Sequence, residues 1–190
     1  RIESVIATGA GLVNKSGSGT WKLAGLSTYT GRTSVAEGLV EIATLKNVSG
    51  GASSLGAPTT AANGTISLGA TTTTGGIRFT GIADATSNRV INLAGTTGGA
   101  VIDSSSATNA KLLLTSALTA SGVGDKTLVL TGTSAGANEL SGAVVNSAGF
   151  KTSVEKSGSG SWTLSGTNTY TGATRVKAGT LAITKAGLAD

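Results

Sequence analysis

The chain has 190 residues, of which 111 are Thr, Ser, Gly or Ala, and it contains no Cys, Met or His. That composition excludes disulfides, thiol chemistry, and histidine as a general base or metal ligand. The formal charge of +5 favours anionic surfaces such as acidic polysaccharide or phosphorylated lipid. The basic residues are nevertheless scattered, and aromatics make up only 3%, so no nucleic-acid stripe forms.

In chain order, an apolar lead-in from Ile2 to Val13 precedes short bursts at Trp21–Leu23, Ser34–Val35, Leu39–Ile42, Thr65–Leu68 and Ile77–Phe79. Further bursts follow at Val90–Leu93, Val101–Asp103, Leu112–Leu114, Leu128–Leu130, Val144–Val145, Trp162–Leu164, Arg175–Val176 and Leu181–Ile183. Several alternate apolar with polar, the period of a strand buried on one face. Gly-rich clusters such as Gly50-Gly51, Gly75-Gly76 and Gly98-Gly99 read as turns between them. Thr and Gly are poor helix formers, and no segment keeps a helical apolar stripe. The Leu112–Leu114 region, within 107–120, also reads as strand.

Many short strands with small side chains fit a solenoid, because each coil is covered by its neighbours and needs only a narrow core. The reading is all-β, a parallel β-helix. With coils of roughly twenty residues stacked at ~4.8 Å, about eight or nine coils would form a rod of roughly 40 Å.

One motif recurs. Lys15-Ser16-Gly17-Ser18-Gly19-Thr20-Trp21-Lys22-Leu23-Ala24-Gly25 returns at Lys156-Ser157-Gly158-Ser159-Gly160-Ser161-Trp162-Thr163-Leu164-Ser165-Gly166. Tyr29 and Gly31 return as Tyr170 and Gly172, and Val35 returns as Val176. Across 15–42 and 156–183 the offset is constant, and 16 of 28 positions are identical. The pattern resembles the passenger-associated transport repeat, also called the autotransporter-associated β-strand repeat. The resemblance implies a right-handed β-helix in a bacterial passenger, exported through an outer-membrane barrel and acting in folding, secretion or adhesion. The first copy departs where Leu39-Val40-Glu41-Ile42 stands for Thr180-Leu181-Ala182-Ile183.

Residues 1–190 read as one β-helical segment of a longer passenger, lacking an initiator Met or signal segment. The aromatic motif residues read as interior side chains rather than a sugar platform. Gly17, Gly19, Gly158 and Gly160 read as turn residues, since a Trp strand follows them instead of a phosphate-binding helix. Gly122-Val123-Gly124-Asp125 has the shape of one calcium-repeat fragment, but such sites need tandem copies. Asp84, Arg89 and Asp103 are the best catalytic candidates, although nine acids spread along the chain give little support. The run Thr71–Thr74 lacks the regular repetition of a flat threonine array. No cofactor motif and no metal-ligand cluster is present.

The expected role is a non-enzymatic stalk or scaffold at the cell surface or outside the cell, used in adhesion to a host or cell-surface glycan or protein. Two alternatives are a structural filament or coat, self-associating through uncapped coil ends, and a carbohydrate-active β-helix enzyme.

Overall fold

A computed structural model describes residues 2–184. Seventeen strands pair in parallel into three sheets, with a single short helix among the described residues. The strands are rich in Val, Ile, Leu and Thr, which pack well on a pleated surface.

Sheet A contains β2 (Thr20–Leu23), β4 (Gly38–Ile42), β6 (Gly75–Phe79), β9 (Ala100–Ser104), β12 (Lys126–Thr131), β14 (Thr152–Lys156) and β16 (Thr174–Val176). Sheet B contains β1 (Val13–Lys15), β3 (Thr33–Val35), β5 (Ile66–Thr71), β8 (Ile91–Gly95) and β11 (Thr119–Ala120). Sheet C contains β7 (Ala85–Ser87), β10 (Leu112–Leu114), β13 (Asn138–Leu140), β15 (Ser161–Leu164) and β17 (Thr180–Ile183). The chain returns to each sheet one coil higher, using sheets B and A in the first coils, all three in the middle and A and C in the last, which makes a parallel β-helix.

Inward positions stack into columns. Val40, Ile77, Ile102 and Leu130 follow one another through sheet A. Leu114, Leu140, Leu164 and Ile183 do so through sheet C, and Ile66 pairs with Ile91 in sheet B. Most of these side chains are fully buried. Each buried aliphatic side chain contributes roughly 1.5–3 kcal/mol.

Coil length is not uniform. Val13 pairs with Thr33 and Thr20 with Leu39, advances of 20 and 19 residues. Val154 pairs with Thr174 and Ser161 with Thr180, again 20 and 19. Between these ends the coils are longer: Gly38 pairs with Gly75 and Ala100 with Leu128, advances of 37 and 28. The roughly twenty-residue coil therefore holds only inside the repeated motifs. Sheet A has seven strands, and its six ~4.8 Å steps span about 29 Å, shorter than eight or nine uniform coils would give.

The longest coil holds the helix α1 (Ala61–Gly64), where Thr60 caps the Asn63 N–H with its side chain. Val144–Val145 forms no strand. The Val144 N–H donates instead to the buried Asn168 side chain, at 2.8 Å, and an amide replaces the ladder there. Strands β7, β13 and β14 carry few large apolar residues, and stacked neighbours supply their pairing.

Candidate functional site

The two motif copies build the same corner. Lys15 ends β1 at an inward position, in register with Val35 and Leu68 on the coils above. Its side chain is buried, and its ammonium donates to the carbonyls of Ser16, Gly17 and Glu37. Lys156 repeats this at the end of β14, donating to Ser157 at 2.6 Å, Gly158 at 2.7 Å and Ala178 at 3.1 Å. The backbone repeats as well. Ala36 N–H donates to the Lys15 carbonyl and Lys177 N–H to the Lys156 carbonyl, both at 2.8 Å.

Motif glycines permit this close stacking. Gly38 and Gly179 have φ of +73° and +69°, and an added Cβ would collide with the carbonyls of Gly19 and Gly160 below. Gly17 and Gly158 take positive φ in the turn that the lysine clasps. Gly25, Gly31, Gly166 and Gly172 each lie against backbone of the preceding coil, while Gly19 faces open space and Gly160 abuts Ser134.

Trp162 is buried and its indole N–H donates to the Thr131 carbonyl, at 3.0 Å, on the coil below. Trp21 is 37% exposed, with the Lys15 ammonium 5.7 Å from its ring centroid. Trp162 thus lies inside, whereas Trp21 lies part-exposed on the lowest strand of sheet A. Tyr29 is buried and shares a hydrogen bond with Thr33, at 2.8 Å. Tyr170 is half-buried and does the same with Thr174, at 2.7 Å. Burial raises the Tyr29 pKa. Leu23, Val35 and Leu164 are buried, whereas Val176 is 55% exposed.

The catalytic candidates serve separate local tasks. Asp84 caps the Lys111 N–H at 2.8 Å. Asp103 pairs with Arg78 on the outer face of sheet A, at 2.7 Å. Arg89 is buried, donating to the carbonyls of Gly64 at 2.7 Å and Leu55 at 2.6 Å, and its Nη2 has no partner. Burial pulls its pKa down to about 10. Asp125 caps the Lys151 N–H at 2.9 Å, a turn role for the calcium-like fragment.

Scattered charge suggested solvated side chains, and four cations depart from that. Lys15, Arg89, Lys126 and Lys156 are all buried, and each donates to backbone carbonyls. Burial lowers the pKa of Lys126 and Lys156. A faint signal was present in the sequence: each motif lysine falls on the apolar register of its strand, just before a Gly turn.

On the outer face of sheet A, Lys22, Glu41, Arg78 and Asp103 occupy one column on four successive strands, alternating in sign. Lys22 pairs with Glu41 and holds its carboxyl below the usual range. Elsewhere, a groove of about 420 Å³ opens between Ala43–Lys46 and Thr80–Ala85. Ile82, in its lining, is 80% exposed.

Comparison with known proteins matches this geometry. Residues 13–42 and 154–183 match the passenger-associated-transport-repeat, spanning β1–β4 and β14–β17. The chain is 34% identical over 162 residues to the adhesin BmaC autotransporter of Brucella suis biovar 1 (strain 1330). That match covers 82% of this chain and 4% of the relative, so the chain spans a small part of that protein's length. No solved structure matches. Two copies of the repeat with the same two-coil build, set in a parallel β-helix, make the chain similar to a segment of an autotransporter passenger.

Proposed function

We propose that the segment is a non-enzymatic stalk that holds contact loops away from the cell and takes part in adhesion, its parent chain being exported through an outer-membrane barrel. The carrying observation is sheet A, which runs through seven coils and stacks them into a rod. The likeness to an adhesin supports the adhesive use. The groove that Ile82 lines is the contact surface of choice, because it lies where the third sheet begins and carries a largely exposed apolar side chain. The partner is a host or cell-surface glycan or protein.

Beads carrying the full chain test this reading. They should bind cultured host cells more than albumin-coated beads do, and Ile82→Asp should reduce that binding several-fold. Binding no greater than albumin would overturn adhesion, and release of sugar products from acidic polysaccharide would favour an enzyme.

A further inference from the structure

We propose that each repeat is a two-coil locking unit, with its lysine ammonium acting as a gauge of coil length. This holds whether or not the segment adheres to anything. An ammonium has three donors and no acceptor. Buried, it needs a partner for each donor, because an unmet charged donor is costly in the interior. Lys156 finds two carbonyls in its own turn, Ser157 and Gly158, and the third at Ala178, 22 residues on. Lys15 uses Ser16 and Gly17, and then Glu37, also 22 residues on.

The third partner exists only if the following coil has the right length and its turn lies directly above. One residue more or less would carry that carbonyl away and leave a buried cation short of a partner. The interval is the same in both copies, although the copies lie on different pairs of sheets and only five of the twelve residues at 31–42 recur at 172–183. Lys126 provides the contrast among the longer coils. Its ammonium reaches backwards to Val123 and to Thr96, 30 residues earlier, where no short coil follows. Fixed coil length therefore goes with the forward clasp.

Burying a cation among neutral carbonyls gains specificity more readily than stability. The test must therefore read which turns open together, rather than a melting temperature. Lys156→Met keeps the buried stem and removes the donors. By hydrogen exchange on the full chain, amides at 157–160 and 177–180 should both exchange at least about tenfold faster, with β5–β9 unchanged. Lys15→Met should do the same at 16–19 and 36–38. One Gly inserted between Thr167 and Asn168 leaves the lysine intact and should loosen the same two turns. Loosening confined to the lysine's own turn, or no change, would overturn the proposal. If the variants fail to fold, amine labelling of the unmutated chain in rising denaturant decides. Lys156 should become reactive in the same step that exposes both turns, and reactivity without opening of 177–180 would refute the gauge.

Discussion

Trp21 and Trp162 hold the same place in two copies of one motif, yet they lie on different faces of the helix. Trp21 is in sheet A and Trp162 in sheet C. The first copy runs on sheets B and A, the second on A and C. The motif thus encodes a relation between two adjacent strands and the coil above, with no fixed address on the rod.

Because the two indoles differ in burial, their loss should differ. Trp162→Ala removes a buried ring and its bond to Thr131 and should cost about 3–5 kcal/mol. Trp21→Ala should cost about 1 kcal/mol, since much of the ring already meets water. Urea unfolding measures both, and equal losses would contradict the placement of the rings.

Glycine positions separate strain from collision. Gly51 has φ +84° with open space where a Cβ would stand, so Gly51→Ala should cost only the left-handed penalty of about 1–2 kcal/mol. Gly38→Ala meets that penalty and also strikes the carbonyls of Gly19 and Gly17. Its cost in urea unfolding should be at least twice as large. Comparable costs would mean that the coils are less closely stacked at Gly38.

The Arg78–Asp103 pair is asymmetric, with side-chain exposures of 37% and 7%. Arg78→Ala strands a mostly buried carboxylate and should cost about 1–3 kcal/mol, whereas adding Asp103→Ala should recover part of that loss. A double-mutant cycle reads the coupling. Strict additivity would show that the pair is not coupled.

Stability at alkaline pH should have two opposed parts. Lys126 and Lys156 have folded pKa values below the free value of 10.5, and burial pulls Arg89 down to about 10, well below its free value. The unfolded chain therefore binds more protons in those windows, and these groups add stability as pH rises through them. Tyr29 is raised above 10.0, so the unfolded chain ionises first and stability falls above that pH. Tyr29→Phe should remove the falling part. Chemical denaturation between pH 8 and 11 tests this, and a variant with the wild-type alkaline profile would refute it.

Much of the fold was legible because strands carry their period locally. Ile77–Phe79, Leu128–Leu130 and Trp162–Leu164 all became strand. The motif placed two more strand pairs. Coil length was less legible, since the 43–65 excursion with α1 is held by tertiary bonds from Arg89 to Leu55 and Gly64. A lone arginine between Asn88 and Val90 announces no such contact. The motif lysines were nearly as hidden, because a lysine beside glycines reads as solvated until the carbonyl of the next coil is in view. The catalytic candidates were named by residue type and by a spacing that could fall on neighbouring coils, and neither determines whether side chains meet.

The placement of the two repeats on different pairs of faces has a directional consequence. The coils between them use all three sheets, and they return the chain to its motif one face further round. A passenger assembled in this way could set the compass bearing of each contact loop by how many faces the intervening coils use. Length would set how far a loop reaches, and this phase would set which way it points.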